Sequence, residues 1–501
     1  MRHKHPKHML VQSTSTRESR AWTISKVLIA VAIALFVITR FYMLFFFHPF
    51  ISDIVLYYGY ATKAIDLRQT PYTQDFMVPY PPLAYWTTCV PRMFDERRIK
   101  STQEPQKTLM YFEYTRGFRG MMFLCDLASF VMLLLIVRKR RPQMAGWAGL
   151  LYVITTAILG NLLYDRIDVA LLMFMMLGVY CWTRSLRESR WAVHWATLSY
   201  AIIGLGVSFK VIPLIIVPFF LLADFHTPRR FIRLGSALAV LAASIGVPFL
   251  IQWSATGRGV FHVFKFHAER EIELESLYSS LMSIASNFGS KVFVSFSHGA
   301  NDLSGDLGHT MKILSTVLLL VFLAVEGLWA LMRWSRYTRQ DAYRIACYVI
   351  PGSVIFSNVL SPQYFIWAFP LLLLLAVEIF PKGIVSPLIL AGLLIALAVM
   401  TTWIFPYNYF GDGSHPHALI PLNAVPLFLP PAPMPTFILG FRNFAYLGVV
   451  LWLGVMLYKR IDQVNDSSGV WSAPGIRDAR SFTRAMNAVS RLISSSGDCL
   501  P

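Results

Sequence analysis

Residues 27–47 read VLIAVAIALFVITRFYMLFFF. This is an apolar run of about 20 residues, the length a helix needs to cross the hydrocarbon of a bilayer. A signal peptide would have a shorter apolar core followed by small residues. Here His48-Pro49 follows, so the run reads as an uncleaved signal anchor. Before it lies a basic stretch with Arg2, His3, Lys4, His5, Lys7 and His8. That stretch reads as a cationic tail, with metal binding by its histidines as the alternative.

Eleven further stretches have the same character: 118–137, 144–162, 168–183, 193–209, 211–224, 235–253, 312–332, 344–360, 363–380, 384–405 and 436–458. The two shortest could instead be re-entrant. The composition agrees, with 55% hydrophobic and only 14% charged residues, where a soluble domain carries about 25% charged residues. The expected fold class is therefore an all-α polytopic membrane protein with about 12 transmembrane helices. One membrane domain is expected over 25–460, between a basic cytoplasmic tail, 1–24, and a flexible cytoplasmic tail, 461–501.

The formal net charge is +18. Nucleic-acid binding is one use of such a balance, but its distribution argues against that. Basic residues fall in short runs beside apolar stretches: Arg138 to Arg141, Arg184 to Arg190, Arg229 to Arg233, Arg333 to Arg339, and Lys459-Arg460. Twelve spans place all these runs and the N-terminal tail on one face, and the positive-inside rule makes that face cytoplasmic. The opposite face then carries outer loops 48–117, 254–311 and a Pro-rich 406–435. Four of the five cysteines lie in apolar surroundings, with no CxxC or Cys/His pairing, so neither disulfides nor zinc is expected.

Chemistry is expected at the outer face. Asp53 stands just past the first span, at the membrane–water boundary among apolar and aromatic neighbours such as Tyr57. It reads either as a base for an acceptor hydroxyl or as a helix N-cap. The stretch Tyr80-Pro81-Pro82-Leu83 turns the chain toward an apolar segment too short to span. That segment suits an interfacial helix anchored by Tyr85 and Trp86. Asp165, Arg166 and Asp168 form a local ion network or grip a phosphate or sugar. Lys210 is an ionisable residue deep in apolar sequence; it is a functional cation or marks a hairpin tip. Arg270 clamps a phosphate or pairs with a nearby Glu. Ser361-Pro362-Gln363-Tyr364 and Trp367 open a helix with Pro near its first turn, adding polar and aromatic groups to an outer-leaflet cavity or to an interface belt.

Together these segments resemble the GT-C superfamily of membrane glycosyltransferases, and within it glycosyltransferase family 87, the polyprenyl-phosphomannose-dependent mannosyltransferases. The resemblance runs from about residue 25 to residue 380. It is carried by Ser52-Asp53-Ile54 with Tyr57-Tyr58, Pro71-Tyr72, Tyr80-Pro81-Pro82-Leu83, Arg166-Ile167-Asp168, Lys210 with Pro213 and Pro218, Arg270 with Glu275-Ser276-Leu277-Tyr278, and Ser361-Pro362-Gln363-Tyr364 with Trp367. It implies a GT-C fold with a long first outer loop carrying interfacial helices. It also implies transfer of a hexose, with mannose the expected sugar, from a polyprenyl-phosphate donor to a glycolipid or glycan acceptor. Asp53 would be the catalytic base. Tyr57, Tyr80, Arg166, Asp168, Lys210, Arg270, Ser276, Tyr278, Gln363, Tyr364 and Trp367 would line the donor and acceptor sites. The family often has an acid just before Tyr-Pro-Pro; this chain has Pro79 there, which leaves the donor sugar less defined than the reaction class. With cations available for the leaving phosphate and no DxD sequence near Asp53, neither a metal nor another cofactor is expected. The partners are the donor lipid, the acceptor and the bilayer, not nucleic acid. A lipid or sugar transporter is the rival reading, though it does not readily explain the long first outer loop.

Overall fold

The computed structural model describes residues 7–47, 53–94, 107–186, 189–227, 229–380, 385–405 and 433–467. Helix α1 is Lys7–Phe45, α2 Ile54–Ile65, α3 Pro82–Met93 and α4 Lys107–Arg140. Next come α5 Ala145–Ile158, the single turn α6 Gly160–Leu163, α7 Asp168–Ser185 and α8 Ala192–Phe209. A 3₁₀ turn, Ile212–Ile216, leads into α9 Val217–Phe225, followed by α10 Arg230–Thr256, α11 His262–Glu269 and α12 Leu277–Ser286. The hairpin β1 Val292–Ser297 and β2 Ala300–Gly305 precedes α13 Gly308–Met332, α14 Arg339–Phe356, α15 Tyr364–Ile379, α16 Val385–Ile404 and α17 Pro433–Ser467. The chain divides into compact units Met1–Leu457 and Tyr458–Pro501, the second described only as far as Ser467.

Each of the twelve expected spans is helical, but they are not equivalent. Among the described residues, seven stretches are long and apolar enough to cross a bilayer: Trp22–Phe45, Met110–Arg140, Ala192–Phe209, Arg230–Glu269, Gly308–Met332, Val385–Ile404 and Phe437–Ile461. Helices α5, α9 and α15, at 14, 9 and 16 residues, fall short of the about 20 that a span needs. Helices α7 and α14, at 18 residues each, also stand outside those seven. Helix α15 explains why a short apolar segment persists: all its residues but Tyr364 and Glu378 are buried, so it is a helix of the protein interior, apolar all round. The outer helices have the opposite habit. Val31, Ile38, Leu238, Leu250, Leu320 and Leu328 stand exposed on α1, α10 and α13, and apolar surface of that extent calls for lipid.

Several element starts differ from the sequence reading. Helix α1 begins at Lys7, inside the expected tail, and α4 at Lys107 rather than 118, which shortens the first loop. Helix α14 begins at Arg339 rather than 344. Thr338 caps it, its hydroxyl accepting from the Asp341 amide while the Asp341 carboxylate accepts from the Thr338 amide, a reciprocal capping box. The second loop adds a strand pair to a chain expected to be all-α. His298 and Gly299 join its strands with φ of 49° and 74°, the doubly left-handed two-residue turn that suits strand twist. The Pro-rich loop 406–435 lies outside the described residues except for its last three, which begin α17, and the tail beyond Ser467 also lies outside them.

The helix ends sort into two sets. At one, Arg140 of α4 pairs with Glu378 of α15 at 2.7 Å, Arg339 of α14 with Asp224 of α9 at 2.9 Å, and Arg233 of α10 with the same Asp224 at 3.4 Å. Three of the basic runs therefore meet at one end. Helices α7 and α15 run from that end to the opposite one, where Asp168 and Trp367 meet.

Candidate active site

The opposite end gathers most of the residues singled out in the sequence. Asp53 directly precedes α2, but its side chain makes no cap hydrogen bond. Its carboxylate instead pairs with Arg166 at 2.6 Å, and both side chains are about one-fifth exposed. Burial raises the Asp53 pKa above the ordinary carboxylate range, opposed by the Arg166 charge; Asp168 and Asp165 add to the rise and Lys210 to the opposition. A carboxylate so placed is a stronger base than one in water.

The segment between α6 and α7 is not a local ion network. Each charge pairs with a group from a different part of the chain. Asp165 takes Arg119 of α4, Arg166 takes Asp53, and Asp168 takes Lys210 at 2.7 Å. Charges this close in sequence on a tight turn point apart, so distant partners satisfy them. Lys210 follows the last residue of α8 in extended backbone, and its ammonium also lies 5.6 Å from the Tyr364 ring centre. Trp367 donates its indole N–H to Asp168 at 3.2 Å and packs 5.0 Å from Tyr364. Gln363 is buried at the head of α15.

The first-loop aromatics complete the wall. The Tyr57 and Tyr80 rings lie 6.0 Å apart, and Asp53 is among the charges that hold the Tyr80 phenol above its usual range, after burial. The Pro71-Tyr72 element has a structural use. Tyr72 has φ 64°, its hydroxyl donates to the Tyr80 carbonyl at 2.8 Å, and its own carbonyl lies where a Cβ on Gly259 would sit, 2.4 Å away. Only glycine admits that approach. The expected interfacial helix is α3, but its two aromatics do not act as simple anchors: Tyr85 is buried, and Trp86 donates to Gln252 of α10 at 2.8 Å.

Arg270 follows α11 directly, with about a tenth of its side chain exposed. Its guanidinium is 3.6 Å from Glu273, beyond good hydrogen-bond reach, and its buried Nε has no hydrogen-bond partner. Glu273 is itself engaged by the Ser361 hydroxyl at 2.5 Å. Arg270 thus has donor capacity that the fold does not use. Ser276 and Tyr278, by contrast, are taken up by the fold. The Ser276 hydroxyl caps α12, accepting from the Ser279 amide at 3.1 Å. Tyr278 donates to the Phe356 carbonyl at 2.9 Å and packs in an apolar cluster with Ile272, Met282 and Leu303. Glu275 pairs with buried Arg442 at 2.5 Å.

Sequence reading missed Arg119, Arg40 and Asp126. Arg40 Nε donates to Asp126 at 2.9 Å, and Tyr152 and Tyr164 donate to the same carboxylate at 2.6 and 2.7 Å. Their signal was available: each is a charge inside an apolar helix, where an unpartnered charge is costly.

A family model described as glycosyltransferase family 87 matches residues 79–362, more than half the chain. The chain belongs to glycosyltransferase family 87. With its apolar spans it is a membrane glycosyltransferase. The matched stretch of this family 87 protein contains Tyr80, Arg166, Asp168, Lys210 and Arg270; Asp53 and Tyr57 precede it, and Gln363, Tyr364 and Trp367 follow it. No curated protein matches the chain. Among solved structures it is similar to ArnT from Cupriavidus metallidurans bound to undecaprenyl phosphate, at 14% identity over 88% of this chain and 78% of that one, with a TM-score of 0.44. The apo state of that ArnT gives 13%, 88%, 75% and 0.43. The apo Archaeoglobus fulgidus oligosaccharyltransferase gives 13%, 77%, 55% and 0.35.

Proposed function

We propose that this protein transfers a hexose, with mannose the expected sugar, from a polyprenyl-phosphate donor to a lipid or glycan hydroxyl, inverting the anomeric carbon. The single observation that carries this reading is the pairing of a carboxylate about one-fifth exposed, Asp53, with Arg166 at 2.6 Å, two residues along the chain from an Asp168 held by Lys210. Acceptor activation needs a base, and a departing phosphate needs fixed positive charge.

In this reading Asp53 takes the acceptor proton as the acceptor oxygen attacks the sugar C1. The bond from C1 to the phosphate oxygen breaks, and the phosphate leaves as an anion held by Arg270 and Lys210. The donor phosphate also competes for Arg166, freeing Asp53 as the substrates assemble. Neither metal nor other cofactor is assigned a role. The polyprenyl tail stays in lipid beside the exposed apolar faces, which puts its sugar at the membrane boundary. The site end is assigned to the non-cytoplasmic side, because the basic runs occupy the other end.

The test is transfer of radiolabelled mannose from a short-chain polyprenyl phosphate by the full chain in liposomes, with a metal chelator present, and with the product anomer read by NMR. Transfer with inverted configuration supports the reading. Movement of intact donor across the bilayer without transfer would favour a transporter.

A further inference from the structure

Asp53 and Arg166 arrive from separate parts of the chain, and their meeting depends on how each part is fixed. Arg119 of α4 touches both. Its Nε and Nη2 donate to the two carboxylate oxygens of Asp165 at 2.8 and 3.1 Å. Its Nη1 donates to the Phe47 carbonyl at 2.8 Å, at the end of α1 and six residues before Asp53. Asp165 is the residue next to Arg166. We infer that Arg119 is a positioning residue for the proposed transfer, a single guanidinium that sets the register between the chain bearing Asp53 and the chain bearing Arg166. The inference rests on the proposed function for its catalytic meaning but not for its geometry.

Three features support this role over a purely stabilising one. The pair is nearly buried, with side-chain exposures of 7% and 4%, and a buried ion pair contributes more to a fixed arrangement than to net stability. The planar guanidinium, with its five donors, can grip a carboxylate through both oxygens and still reach a carbonyl; an ammonium cannot do so in fixed geometry. The segment is also anchored on both sides of Arg166, by Tyr164 to Asp126 at 2.7 Å and by Asp168 to Lys210 at 2.7 Å. Arg119 adds a tie from this segment to the Phe47 carbonyl, beside the direct Arg166–Asp53 pair.

Misplacing reacting groups by about 1 Å can cost on the order of 100-fold in rate. Arg119→Gln is therefore expected to lower turnover roughly 10- to 100-fold while donor binding changes by less than about threefold. Arg119→Lys should recover only part of the loss. In an Asp53→Asn background Arg119→Gln should add little, because it acts through a group already removed. A parallel fall in donor binding, multiplied losses in the double variant, or unchanged turnover would each overturn the inference. If Arg119→Gln does not fold, Asp165→Asn tests the same clamp. A structure of either variant in nanodiscs reads the geometry without activity: Asp53 and Arg166 should part beyond 4 Å while Arg40 and Asp126 stay paired. An intact Asp53–Arg166 contact defeats the inference whatever the enzyme does, and a wild type that transfers no sugar defeats the proposed function alone.

Discussion

The Lys210 ammonium sits 2.7 Å from Oδ1 of Asp168, the oxygen that also accepts the Trp367 indole N–H. Asp168 is almost wholly buried, while the Lys210 side chain is about one-fifth exposed. The lysine therefore neutralises a buried carboxylate while part of its own side chain stays exposed. Lys210→Met should strand Asp168 and lower unfolding stability by roughly 3 kcal/mol. Adding Asp168→Asn should restore most of the thermal midpoint but not donor affinity. Recovery of both would show that Lys210 contributes to the fold alone.

Asp53→Asn is nearly isosteric and cannot accept a proton. Transfer should fall by about 100-fold or more, with donor binding and the thermal midpoint little changed. Single-turnover transfer measured alongside donor binding checks this. Full transfer by the variant rules Asp53 out as the base.

Arg270→Met should weaken donor binding along with turnover, since the residue's free donors face no partner that the fold needs. Some stability should be lost too, because Glu273 keeps the Ser361 hydroxyl but loses its neighbouring cation. A binding titration against a polyprenyl phosphate without sugar isolates the phosphate contribution; unchanged affinity there sinks the assignment.

Asp302 gives the β1–β2 hairpin a pH dependence. Burial pushes its carboxyl from 3.8 up to about 7, against the Ser297 hydroxyl and Arg270, which favour the charged form. With the folded value above the unfolded one, the folded state holds the extra proton. Its stabilising effect is full below about 3.8 and is lost as pH rises to about 7. Hydrogen exchange across residues 292–305 should quicken between about pH 4 and about pH 7 beyond the intrinsic rise, and Asp302→Asn should abolish that excess. An equal excess in the variant would place the titrating group elsewhere.

Single cysteines near Arg140 and Arg336 should label from the cytoplasmic side, and those near Asp75 and Ser304 from the other. Labelling of Arg140 and Asp75 positions from the same side would show that the span count is wrong.

The sequence by itself determined the class. Apolar runs of spanning length and a scarcity of charge admit few folds outside a bilayer, because every backbone polar group must be satisfied within a helix there. It also marked Lys210, an ionisable group deep in apolar sequence and so costly enough to stand out, and Asp53, Arg166 and Arg270 as charges at or beside the membrane boundary. What it could not supply was pairing. Asp165, Arg166 and Asp168 look like neighbours on a line, yet each is neutralised by a residue from a different part of the chain. Nor could it tell a span from an interior helix: α15 is apolar on every side because protein, not lipid, surrounds it. Ser276 and Tyr278 looked like site residues, and only the packing of α12 against its neighbours shows their hydroxyls occupied. Cost of burial is a property of each residue and is legible along the chain; the partner that offsets it is fixed by helices dozens to hundreds of residues apart, and only the tertiary structure brings them together.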